Sequence, residues 1–209
     1  MSAIFSITVL VCYLSLVLEL TLLHVPSIAS FRSIWIANEA NVCRYSDKYR
    51  GLFRLGKTVK LILFLPPLLI VYAVFLYPLS TVLIPTYQPL TPLYEPGPVT
   101  LTAAVVLAIV GRVITVSSVV SLDGIRKSTE GEGLQTSGLF VHSRNPGLVG
   151  MFVMFAGFWV ALPSPIFLVG ILFYVVYMDF KVRMEEDFLA NKFGAEFQTY
   201  REKTSRYLA

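Results

Sequence analysis

Two short stretches of this chain carry residue types that do chemistry. The first is "SRNPGLVG", residues 143–150. Asn145 before Pro146 makes a helix start, because Asn can cap and Pro lacks an N–H that the first turn would leave unsatisfied. The free amides of that turn and the helix dipole offer a position for an anion, and Arg144 adds a full positive charge. Gly147 and Gly150 keep the turn bare, so that a ligand can approach the backbone. The plainer alternative is a capped helix whose Arg reaches up to lipid phosphates.

The second stretch is "RMEED", residues 183–187. Arg183, Glu185 and Glu186 offer one cation and two carboxylates, suited to a cationic or polyhydroxylated ligand. Asp179–Arg183 and Lys181–Glu185 also stand at i,i+4 spacing, and such pairs decorate any solvated helix for a few tenths of a kcal/mol each. Read together, an anion site and an acidic site suit a zwitterionic, ribose-bearing ligand, and S-adenosylmethionine is such a molecule.

The elements that position these residues are apolar. Of 209 residues, 56% are hydrophobic and only 14% charged, where soluble domains run nearer a quarter charged. The stretches 3–24, 59–85 and 99–121 reach the roughly 20 residues that a hydrocarbon core requires. The second contains Pro66, Pro67 and Pro78, kinks that a membrane helix tolerates when neighbours satisfy the freed carbonyls. Two shorter apolar runs, 147–162 and 164–178, are separated by "PSP" and read as a tight hairpin. Its second helix continues without a break into an amphipathic segment that ends at Gly194, a suitable residue just past a helix end.

The expected fold is therefore an all-α integral membrane protein of about five transmembrane helices. The last two form a hairpin over 146–180, and a C-terminal amphipathic helix follows. The chain divides into 1–121, with a basic loop over 26–58 that predicts an interfacial helix near Trp35 and Tyr45, and a C-terminal functional region over 122–209. Lys and Arg collect on cytoplasmic loops. The 26–60 loop holds Arg32, Arg44, Lys48, Arg50, Arg54, Lys57 and Lys60, whereas 86–98 holds no Lys or Arg. That alternation puts the N-terminus outside and both reactive stretches on the cytoplasmic face. The net charge of +4 is explained by this distribution and not by nucleic acid. Cys12, Cys43, His24 and His142 stand too far apart for a familiar metal-ligand spacing.

One charge falls within the third apolar stretch. Arg112, beside Gly111, is costly at that depth and by default functional or turned to a polar cavity. It either snorkels or lines a substrate tunnel, meeting an anionic headgroup there.

The ordered residues Thr136, Ser137, Gly138 and Phe140, then Arg144, Asn145, Pro146 and Gly150, resemble the isoprenylcysteine carboxyl methyltransferase family. Arg183, Glu185, Glu186, Leu189, Phe193, Gly194, Phe197, Tyr200, Arg206, Tyr207 and Leu208 continue the resemblance, which covers 111–208. Phospholipid methyltransferases are similar over the same pattern. Asn145 stands where the family has His, and Leu148 where it has Tyr; His142, three positions before Asn145, is either a substitute in space or a solvated loop residue.

The resemblance implies methyl transfer from S-adenosylmethionine to a lipophilic acceptor, such as a prenylcysteine carboxylate or a phospholipid. It implies a cofactor site of Gly138, Phe140, His142, Arg144, Asn145, Pro146, Gly147, Gly150, Glu185 and Glu186. Arg144, Arg183 and Glu186 would serve catalysis, with Arg112 and Arg183 on the acceptor's path. A transporter or scaffold would spread polar residues through several helices at midplane, and a reductase would need a nicotinamide site. This sequence has neither pattern.

Overall fold

The computed structural model describes residues 3–22, 69–84, 86, 91–128 and 133–208. The expected interfacial helix in 26–58, the 59–68 part of the second apolar stretch and Pro66 and Pro67 lie outside the described residues. Within them the chain is all-helical. α1 spans Ala3–Leu22, and α2 spans Val71–Leu83, beginning as a π-helical stretch, Val71–Leu76. α3 is Pro98–Ser128. A 3-10 turn at Gly138–Val141 leads to α4, Pro146–Ala161. α5 is Pro165–Phe193 and α6 Ala195–Lys203.

Two of these helices are long and apolar enough to cross a membrane, in the segments Pro98–Leu122 and Pro165–Phe193. Three shorter apolar helices accompany them: Ala3–Glu19, Val71–Leu83 and Pro146–Ala161. This is the build of a membrane protein, with two helices of full spanning length among the described residues where the sequence predicted about five. The hairpin itself is present: α4 and α5 are joined by Leu162–Ser164, and α5 runs on unbroken through the RMEED stretch.

The α3–α4 contact organises the bundle, and its cause is a seam of small residues. A Cβ on Gly150 would lie 2.5 Å from the Gly111 carbonyl oxygen and from Thr115 Oγ1, and one on Gly157 2.8 Å from the Ala104 carbonyl oxygen. Small side chains let backbones approach closely where lipid supplies no hydrophobic drive between helices. This corrects the sequence reading of Gly147 and Gly150 as open to a ligand. Gly147 faces Ser118, whose Oγ would be 3.1 Å from an added Cβ, and Gly150 is filled by α3.

α1 and α2 close the bundle through aromatics. Tyr13 stacks on Phe158 with ring centroids 5.7 Å apart, and Phe75 meets Phe155 edge-on at 5.5 Å. The Tyr13 hydroxyl donates to the Val74 carbonyl at 2.6 Å. That bond ties α1 to the π-helical stretch of α2.

Candidate functional site

Helix lengths bring the two reactive stretches together. α4 has 16 residues and α5 has 29, so α5 is the longer by roughly 20 Å at 1.5 Å per residue. The surplus carries residues 181–193 past the start of α4. There Glu186, with its side chain 8% exposed, meets Arg144, 9% exposed, with Oε1 3.2 Å from Nη2.

A third residue completes the cluster. Arg206 grips Glu186 with two hydrogen bonds, Nε to Oε1 at 3.1 Å and Nη2 to Oε2 at 2.7 Å. This bidentate geometry is the strong form of the guanidinium–carboxylate pair, and it raises the Arg206 pKa above its ordinary value. Burial pulls the Arg144 pKa down, with Glu186 opposing. Two guanidinium groups share one carboxylate, leaving a positive charge in excess. Among the described residues Arg144 Nε and Nη1 are buried without a hydrogen-bond partner, a costly state for donors.

Asn145 does not cap α4 with its side chain, contrary to the sequence reading. Its Nδ2 instead donates to the Arg206 carbonyl at 3.1 Å, which also accepts from Ser143 Oγ at 3.3 Å. The Arg144 N–H donates to the Ser205 carbonyl at 2.9 Å. The C-terminal residues are therefore strapped across the start of α4. Pro146 is buried at the first position of that helix, as expected.

The remaining predicted residues spread around this centre. Gly138 opens the 3-10 turn with φ +63, a backbone state that glycine adopts at little cost. Phe140 is buried, and its carbonyl accepts from Tyr200 Oη at 2.7 Å; burial pushes the Tyr200 pKa up to about 12. His142 is exposed, with its N–H donated to the Leu139 carbonyl. Glu185 is exposed while the adjacent Glu186 is buried. Arg183 stands outside the cluster, 56% exposed, with Nε 2.7 Å from Asp179 Oδ2. Asp179 in turn accepts from Tyr207 Oη at 3.0 Å and lies 3.7 Å from Arg206 Nη1. Arg112 is deep in the bundle, away from these residues.

Reasoning from sequence gave Arg206, Asp179 and Ser143 no role in the site. Arg206 carried a signal, as the terminal Arg–aromatic of the family pattern. Asp179 showed only its i,i+4 pairing with Arg183, and Ser143 showed nothing, because their contacts to Arg206 and Tyr207 depend on where the C-terminal strap lands.

The arrangement is a largely desolvated, donor-rich cluster at the end of an apolar hairpin, with donors of the kind that take a carboxylate. No curated protein and no solved structure matches the chain. A family model, "Phospholipid methyltransferase", matches residues 99–196, a span that contains α3, the 3-10 turn, both helices of the hairpin and the Arg144–Glu186 pair. Over that span the chain is similar to the phospholipid methyltransferases, a family of membrane methyltransferases.

Proposed function

We propose that the chain transfers a methyl group from S-adenosylmethionine to a lipid-borne acceptor, and that Arg144, Glu186 and Arg206 hold the cofactor. The observation that carries this reading is Arg144, charged and with its side chain 9% exposed, two of whose nitrogens find no hydrogen-bond partner among the described residues. The methionyl carboxylate supplies the oxygens that those nitrogens lack. Glu186 fixes both guanidinium groups, so little reorganisation is needed when the anion arrives. Glu185, exposed beside it, supplies a carboxylate for the ribose hydroxyls or the α-ammonium. Gly138, Phe140 and His142 shape the turn that leads the chain to Arg144, and Arg183 tethers Asp179, which meets Arg206.

When bound, the cofactor supplies an electrophilic methyl group. The protein's part is to align the acceptor with it and exclude water. A carboxylate acceptor needs no base, whereas an amine must first lose a proton. A prenylcysteine carboxylate and a phospholipid amine suit the cluster equally. The basic residues flanking this end of the bundle make it the cytoplasmic face.

The reading is tested with tritiated-methyl S-adenosylmethionine and purified protein in nanodiscs containing phosphatidylethanolamine, with farnesylcysteine analogues added in parallel. Label should enter the organic phase from one acceptor, and Arg144→Gln should cut it by about tenfold or more, the worth of one charged hydrogen bond. Folded protein that labels neither acceptor would overturn the assignment.

A further inference from the structure

Among the described residues, the buried cations outside the Arg144 cluster are Arg112 and Lys181. Arg112 is held within the bundle: its Nη2 lies 2.6 Å from Glu19 Oε2, and its Nε donates to Ser15 Oγ at 2.6 Å. That contact staples α1 to α3. Lys181 stands elsewhere. It is 7% exposed, yet it lies on the part of α5 that runs past the start of α4, on the same helix as Glu185 and Glu186. An ammonium is costly to bury unless a carboxylate accompanies it.

The carboxylate within reach is Glu185. Lys181 and Glu185 stand at i,i+4, a spacing that puts two side chains on one helix face, and they interact electrostatically. Glu185 is exposed, so the pair keeps its ammonium inside and its carboxylate at the surface. The two oxygens of a carboxylate offer about four acceptor positions. An ammonium on one side leaves the others open to donors from a ligand. Glu185 also points roughly 100° round α5 from Glu186, so the two carboxylates face different parts of one bound molecule.

Connectivity and charge decide which part Glu185 takes. The α-ammonium of S-adenosylmethionine sits on the carbon next to its carboxylate. With that carboxylate on Arg144, the ammonium stays on the Arg144–Glu186 side of α5, whereas the ribose lies several bonds further on. Lys181 neutralises Glu185 and would meet a second ammonium as a like charge. A neutralised carboxylate still accepts from neutral hydroxyls, and an acidic side chain on ribose hydroxyls is a recurring way to hold a nucleoside. Resting on the cofactor reading above, we infer that Lys181 is a positioning residue that fixes Glu185 as the acceptor for the cofactor's ribose hydroxyls, and not for its α-ammonium.

The test is calorimetric titration of the full chain in detergent with S-adenosylhomocysteine, its 2′,3′-dideoxyribose analogue and its analogue lacking the α-amino group. The parent should prefer S-adenosylhomocysteine over the dideoxy analogue by about fivefold or more, the worth of one ordinary hydrogen bond. Glu185→Ala and Lys181→Met should each cut that preference to about twofold or less, and Lys181→Arg should keep it. The loss on removing the α-amino group should stay within about twofold of the parent's in every variant, as for an independent contact. A merely structural Lys181 predicts instead that Lys181→Met weakens all three ligands alike and keeps the hydroxyl preference, and that result would overturn the inference. So would a Glu185→Ala variant that loses the amino-group preference, or a parent that binds the dideoxy analogue as tightly as S-adenosylhomocysteine. Should Lys181→Met not fold, Glu185→Ala decides, since a hydroxyl preference left intact in it overturns the inference equally. A parent that binds none of the three ligands withdraws the cofactor reading itself, and the assignment of Glu185 with it.

Discussion

Glu185 and Glu186 are adjacent, identical in type and opposite in circumstance. Glu186 is buried between two guanidinium groups, and Glu185 is exposed. Glu186→Gln removes the charge that orients Arg144 and Arg206 and leaves a buried and a half-buried cation without the carboxylate they share. S-adenosylhomocysteine binding should weaken by about tenfold or more in that variant. Glu185→Gln should weaken it less, and calorimetry on the two variants separates them. From sequence the two were indistinguishable, because i,i+1 neighbours point to different faces of a helix and nothing local says which face is covered. For Arg144 the sequence left two uses open, a ligand contact and a reach to lipid phosphates, and only the fold brings it to Glu186. Asn145 was misread as a cap for a specific reason: the strap's Arg206 carbonyl competes for its side chain, and a contact across 61 residues leaves no local trace.

At the scale of elements, the helices that carry the site were readable from apolar runs and their interruptions, and the continuity of α5 through 165–193 was anticipated. The close α3–α4 packing was not, because glycines in an apolar run suit a ligand approach and a helix approach alike. Gly150→Leu should force the seam apart and destabilise the protein by about 1–3 kcal/mol, the usual cost of overpacking, read as a lower thermal midpoint in detergent. Gly194 tests the break between α5 and α6. Its φ of +52 with ψ of −121 is a region that side-chain-bearing residues avoid, so Gly194→Ala should cost about 1–3 kcal/mol. An unchanged midpoint in that variant would show that the break relaxes freely.

Across the whole molecule, the site depends on residues from both sides of a long excursion. The chain leaves the start of α4, makes the hairpin, continues past the RMEED stretch, turns at Gly194 and returns to lay Thr204–Tyr207 beside Val141–Asn145. Thr204 Oγ1 donates to the Val141 carbonyl at 3.4 Å, and Tyr207 packs on Phe152 with centroids 5.8 Å apart. A stop codon after Lys203 should therefore abolish cofactor binding while leaving the helical circular dichroism nearly intact, since the strap contributes contacts and not helix. Loss of helix in that truncation would make the strap a folding element instead. Family resemblance had suggested the terminal Arg-Tyr, but only the returning path explains why those residues bear on the site.

The most direct measurement is calorimetric titration of S-adenosylhomocysteine into the detergent-purified chain, beside Glu186→Gln. The account predicts micromolar binding to the parent and a loss of about tenfold or more in the variant. A folded parent that binds nothing, or a variant that binds as tightly as the parent, would contradict it and leave Arg144, Glu186 and Arg206 as a structural clasp.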